Sequence, residues 1–298
     1  MTDLNTLLDS SGPILLDGAM GTMLMEAGLE SGDPPEEWNV LHPERIREVH
    51  RHYIAAGSQI ILTNSFGGTS YRLAMHGLQH RAGELNQAAG KAARAEADQA
   101  SHPVFVAGSM GPTGQLLEPV GEMIFEEAVE AFAEQASGLA AGGVDLFWIE
   151  TMSDLGEVRA AVEGIRRVSG LPISATLSFD THKHTMMGVD PLRAVESLQD
   201  LDLDFMGANC GTGSDELIEI IQVMSTADPD LPLVAKANAG VPQVVGGDVV
   251  YNGTPEVMAD YAVRVYHQGA RLIGGCCGST PEHIRAMAEA LKNLENST

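Results

Sequence analysis

Short apolar runs alternate with longer segments whose apolar positions recur three and four residues apart, from one end of the chain to the other. The short runs predict strands. The first is Pro13-Ile14-Leu15-Leu16, stopping at Asp17; the second is Gln59 to Thr63 and the third Pro103 to Ala107. The fourth, Leu146 to Ile149, stops at Glu150, the fifth covers Pro172 to Ser178, and the seventh Pro232 to Ala237. The sixth, Leu203 to Met206, and the eighth, Ala270 to Ile273, each lead into a cysteine motif.

The longer segments predict helices. One opens at Pro43-Glu44-Arg45-Ile46 and ends near Gly57, with proline in the first turn, where its missing N–H costs nothing. Glu122 to Ala141 is another, and Asp154 to Val168 a third, with Ser153 as its cap. Thr254-Pro255-Glu256 and Thr280-Pro281-Glu282 each supply the hydroxyl, proline and acid of a helix start. Eight strands alternating with helices over this length predict a (β/α)8 TIM barrel in the α/β class, one domain over residues 1–298. A doubly wound open sheet is the alternative. No low-complexity linker marks a domain boundary.

A barrel gathers its chemistry at the carboxyl ends of its strands. Asp17, Asn64, Ser109, Glu150, Asn209, Cys210, Asn238, Cys276 and Cys277 all lie at or just past predicted strand ends. They are therefore expected to converge on one mouth.

Composition narrows the setting. A 44% hydrophobic and 19% charged chain can bury a sizeable core, and no apolar run reaches the ~18 residues of a membrane span. Met1 to Ser11 is polar and acidic, without the basic start and apolar centre of a signal peptide. With an odd number of cysteines, three, this predicts a cytoplasmic protein with reduced thiols. The net charge of −24 argues against nucleic acid as a partner. It serves solubility, or it steers a cationic substrate or basic partner.

All the cysteines sit in two motifs, Gly207-Ala208-Asn209-Cys210-Gly211 and Gly274-Gly275-Cys276-Cys277-Gly278. Three thiolates brought together would hold zinc and leave one of its four positions open, as catalytic zinc sites do. The competing readings are small hydrophobes in a core or a redox pair. Adjacent cysteines make a strained disulfide, and flanking glycines permit close backbone approach. Convergence at a barrel mouth favours the metal. His182 and His184, around Lys183, read as a solvated loop, and Met20, Met23, Met25, Met110, Met186 and Met187 as core or mouth lining.

These motifs resemble the homocysteine S-methyltransferase family. It includes betaine–homocysteine methyltransferase, S-methylmethionine-dependent enzymes and the homocysteine module of cobalamin-dependent methionine synthase. The resemblance runs from Asp17-Gly18-Ala19-Met20-Gly21-Thr22 through Thr63-Asn64-Ser65-Phe66, Ala107-Gly108-Ser109-Met110-Gly111-Pro112 and Glu150-Thr151. It continues through Asn238-Ala239-Gly240 and both cysteine motifs. It implies Zn2+ on Cys210, Cys276 and Cys277, with homocysteine sulfur in the fourth position and Asn238 filling it at rest. It also implies that Glu150 takes the substrate ammonium and that Asp17 lies near the sulfur-bearing chain. Backbone at Gly18 and Ala19 would then meet the carboxylate, with Ser109 and Thr151 completing the substrate site.

The donor set suits such chemistry. An alkyl thiol, with a pKa of about 8.5, is mostly protonated at neutral pH, and zinc deprotonates a coordinating thiol. Three cysteinates make the site formally anionic, so a bound thiolate keeps the electron density it needs to attack a methyl group. The implied product is methionine. The implied donor is betaine or a methylated corrinoid protein, with S-methylmethionine third. Vertebrate betaine-type enzymes carry a tyrosine just after the second-strand phenylalanine, where this chain has Gly67-Gly68, and their carboxyl-terminal extension is absent here. Two other readings stand beside this one. One is a non-catalytic homocysteine- and zinc-binding subunit of a methyl-transfer complex; the other is a zinc-free barrel enzyme such as an aldolase.

Overall fold

The computed structural model describes Leu4, Leu7 and residues 12–241, 243–245 and 248–295. Its strands are β1 (Ile14–Leu15), β2 (Ile60–Leu62), β3 (Phe105–Met110), β4 (Leu146–Met152) and β5 (Ile173–Leu177). They continue as β6 (Phe205–Cys210), β7 (Leu233–Ala237), β8 (Gln243–Val245), β9 (Asp248–Val250) and β10 (Ala270–Gly275). Eight form one sheet in the order β1-β10-β7-β6-β5-β4-β3-β2, with parallel pairing throughout. A parallel bridge between Leu16 and Ile60 joins β1 to β2, where Gln59 N also donates to Leu15 O at 2.8 Å. The sheet closes on itself, which excludes the open-sheet alternative.

The surrounding helices are α1 (Pro43–Ala55), α2 (Ala82–Ala97), α3 (Phe125–Ala141), α4 (Leu155–Val168), α5 (Pro191–Leu198), α6 (Ser214–Ala227), α7 (Pro255–His267) and α8 (Pro281–Glu295). Two starts differ from the sequence expectation. α3 begins at Phe125 instead of Glu122, because Met123 is drawn into a bridge with Leu117 and Glu127 accepts from Ile124 N at 3.2 Å. α4 is capped by Asp154, which accepts from Gly156 N at 2.6 Å, and not by Ser153. Thr254 caps α7 as its sequence indicates. No helix among the described residues is long and apolar enough to cross a membrane.

Side-chain alternation explains where the chemistry sits. Leu15, Ile61, Val106, Phe147, Ile149 and Ala175 face outward and pack against helix residues such as Phe132, Ile165 and Tyr261. Ile14, Leu16, Ile60, Leu62, Phe105, Leu146, Trp148, Phe205, Val234 and Leu272 fill the barrel. Followed toward the carboxyl ends, the inward series becomes polar. Ser109 comes after Phe105 and Ala107, Glu150 after Leu146 and Trp148, Asn209 after Phe205, and Lys236 after Val234. An apolar floor thus carries a polar layer beneath the mouth.

Candidate metal and substrate site

β6 ends on Cys210 itself, which adopts a left-handed conformation (φ 59°) that side chains other than glycine seldom take. Cys276 and Cys277 follow β10 directly and are tied to the end of β7. Cys276 N donates to Ala237 O at 2.7 Å, and Ala239 N to Cys277 O at 2.9 Å. The sulfur of Cys210 lies 2.8 Å from that of Cys276 and 4.0 Å from that of Cys277. All three fall within 4.8 Å of one another, the sole such cluster of Cys, His, Asp or Glu side chains among the described residues. His182 and His184 sit in an exposed loop away from it, with Lys183 paired to Glu219.

The glycines around the vicinal pair have specific reasons. A Cβ on Gly275 would stand 2.3 Å from Ser279 Oγ, and one on Gly278 (φ 76°) would stand 2.2 Å from the Tyr251 ring. Ser279 Oγ donates to Cys276 O at 2.7 Å and accepts from Ala19 N at 3.1 Å, joining the loop after β1 to the cysteine loop. The Ala19 N–H is thereby engaged within the protein. Tyr251, just after the β8–β9 hairpin, lays its ring against Gly278, next to Cys277.

Asn209 is the hub of the mouth. Its Oδ1 accepts from Thr151 N at 2.9 Å and from Thr176 Oγ1 at 2.7 Å, and its Nδ2 donates to Thr151 Oγ1 at 2.7 Å. The same Nδ2 lies 3.5 Å from Cys210 Sγ and 3.9 Å from Cys276 Sγ. Thr151 takes a left-handed conformation (φ 61°) at an irregularity in β4, directly after Glu150. Two residues at the mouth, Cys210 and Thr151, thus hold unfavourable backbone conformations, a cost of order 1–3 kcal/mol each.

The acids lie deeper. Asp17 Oδ1 pairs with Lys236 Nζ at 2.8 Å, and Asp17 Oδ2 accepts from Leu62 N at 2.7 Å. Ser109 Oγ donates to Glu150 Oε1. Asn238 Nδ2 donates to Gly211 O at 3.1 Å, while its buried Oδ1 has no hydrogen-bond partner. The left-handed residue of that turn is Gly240 (φ 86°).

A family model described as homocysteine S-methyltransferase matches residues 14–291. The chain belongs to this family. It is 33% identical over 309 residues to methionine synthase of Mycobacterium tuberculosis (strain ATCC 25618 / H37Rv), covering 99% of this chain and 26% of that protein. It is 32% identical over 297 residues to methionine synthase of Mycobacterium leprae (strain TN), covering 95% of this chain and 24% of that protein. The chain therefore spans about a quarter of the length of these relatives. Among solved structures it resembles the homocysteine methyltransferase MmuM from Escherichia coli. The metallated form gives a TM-score of 0.80 at 29% identity, covering 96% of this chain and 99% of that one. The oxidized form gives 0.82 at 27% identity, covering 96% and 98%.

The electrostatics of the mouth separate its groups. Hydrogen bonds from Cys210 and Cys276 hold the Cys277 thiol low, against its burial. Cys210 is pushed up, because its proton serves Cys276 and Cys277 and because it is buried. One thiolate is thus accommodated by its neighbours, and three are not. A divalent cation is the partner that lets all three ionise together, so the donor set fits zinc.

Burial raises Glu150 to about 7, against the pull of Lys236 and the Ser109 hydrogen bond. The unfolded value is lower, so between about pH 4.5 and 7 the folded protein binds more protons and loses stability as pH rises. Glu150→Gln removes this burden. It is expected to raise the thermal midpoint at pH 8 and to leave it nearly unchanged at pH 4, as melting curves at the two pH values will show.

Sequence reasoning missed Lys236, the hub role of Asn209, Ser279 and Tyr251. Lys236 carried one available signal: a lysine at an inward position of a barrel strand must meet an acid.

Proposed function

We propose that the chain transfers a methyl group to the sulfur of homocysteine, giving methionine, with zinc held by Cys210, Cys276 and Cys277. The convergence of three sulfurs from two distant motifs supports this reading most. Zinc in that position would lower the pKa of an incoming thiol and hold it as the thiolate. The orphaned Asn238 Oδ1 suits a fourth ligand in the resting state.

The protein groups divide the rest of the work. Glu150, steadied by Ser109, receives the substrate ammonium, and Asn209 fixes Thr151 beside it. Since Ala19 N–H is spent on Ser279, Gly18 and the unpaired first N–H groups of the helix Met20–Glu26 remain to face the substrate carboxylate. The sulfur gives up its proton and gains the methyl, while the donor departs with the electron pair of the broken bond.

A methylated corrinoid protein is the donor we favour over betaine, with S-methylmethionine third. A larger side chain at Gly67 or Gly68 would have to displace Glu36 or Asn86. A Cβ would stand 2.9 Å from Glu36 Oε1 at the first and 2.3 Å from Asn86 Oδ1 at the second. This disfavours a counterpart of the tyrosine of betaine-type enzymes at either position. The zinc-loaded protein, assayed with homocysteine and each donor in turn, is expected to form methionine with the methylated corrinoid protein and not with betaine. Methionine from betaine alone would reverse the donor assignment. Homocysteine binding with no methionine from any donor would leave the non-catalytic binding subunit.

A further inference from the structure

The polar layer beneath the sulfurs holds two carboxylates and one ammonium. Lys236 pairs with Asp17 at 2.8 Å, each side chain only 3% exposed. Asp17 is fully committed, with its second oxygen taken by Leu62 N at 2.7 Å. Glu150 accepts from Ser109, a neutral donor, and among the described residues no cationic side chain forms an ion pair with it. Lys236 stands in register with Asn209 and Gly274, one step below the level of Cys210, Ala237 and Gly275. It therefore lies directly under the thiol cluster.

We propose that Asp17 is a positioning residue that acts through Lys236. The ion pair holds the lysine ammonium off Glu150 and leaves one uncompensated carboxylate, which selects aminothiols over thiols lacking an ammonium. The proposal rests on the reading that homocysteine sits here with its ammonium on Glu150. Lys236 follows the barrel-filling Val234 and Glu150 the barrel-filling Trp148, so both side chains enter the same polar layer inside the barrel. Removing the Asp17 charge frees Lys236 to neutralise Glu150. Removing both members of the pair restores a lone Glu150, and replacing a buried ion pair by neutral groups is often tolerated by a fold.

The test is a double-mutant cycle on zinc-loaded protein, reading homocysteine binding by calorimetry together with KM and kcat. The probe without an ammonium is 4-mercaptobutyrate. Asp17→Asn is expected to weaken homocysteine binding and raise its KM at least about tenfold, the scale of losing a charged hydrogen bond. The kcat should change less, and 4-mercaptobutyrate should bind no worse. The double variant Asp17→Asn/Lys236→Met is expected to recover most of the lost homocysteine affinity. A double variant as weak as Asp17→Asn would mean that Asp17 touches the substrate itself. A weaker one would mean that Lys236 does; either result overturns the proposal. Wild-type protein that binds no homocysteine would sink the reading of function instead.

Discussion

Cys276→Ala and Cys277→Ala are each expected to remove stoichiometric zinc from the protein and to lower methionine formation by well over about 100-fold. Losing groups that only support a ligand already costs about 10–100-fold in metal affinity or activity. Losing one of three sulfur donors takes away a ligand outright and leaves two thiols for a site that needs three plus an open position. The fold should survive. All three cysteines are half-buried, and the barrel core lies below them. Metal analysis and circular dichroism on the same samples separate the two effects. Retained zinc at one per chain in either variant would refute the ligand assignment.

Asn209→Ala is expected to destabilise the protein by about 2–6 kcal/mol, because it strands the buried Thr176 hydroxyl and the half-buried Thr151 N–H, each at about 1–3 kcal/mol. Asn209 is fully buried, and its Oδ1 is the acceptor for both Thr151 N and Thr176 Oγ1. Alanine offers neither group a partner and gives water little access. Function should fall as well. Thr151 holds its left-handed conformation through this contact, and Glu150 precedes it in the chain. Homocysteine affinity is therefore expected to drop even where zinc is retained. Chemical denaturation gives the stability change and calorimetry the affinity. A variant within 0.5 kcal/mol of wild type, roughly the range of surface substitutions, would show that the hub carries no strain.

Much of this architecture is legible in the amino-acid order because the governing signals are local. Apolar runs such as Leu146 to Ile149 and Leu233 to Ala237 are short and bounded, and helix starts such as Thr254-Pro255-Glu256 carry their own punctuation. Once the barrel is inferred, strand-end residues fall to the mouth by topology, which is why Cys210 and the vicinal pair could be placed together. Contacts between distant segments leave no such trace. Asp17 and Lys236 are separated by 219 positions, and nothing in Leu-Val-Ala-Lys-Ala says which acid the lysine meets. Asn209 was placed at the mouth, but its bonds reach β4 and β5, whose mutual register only the folded sheet fixes. The antiparallel β8–β9 pair has a local signal in the sequence, with Val244-Val245 and Val249-Val250 flanking Gly246-Gly247.

X-ray absorption at the zinc edge, on protein with and without homocysteine, probes the sulfur site most directly. Without substrate the expected shell is three sulfurs at about 2.3 Å and one lighter atom, and with saturating homocysteine it is four sulfurs. A sulfur count that stays at three when homocysteine is bound, or a shell dominated by nitrogen and oxygen, would contradict it.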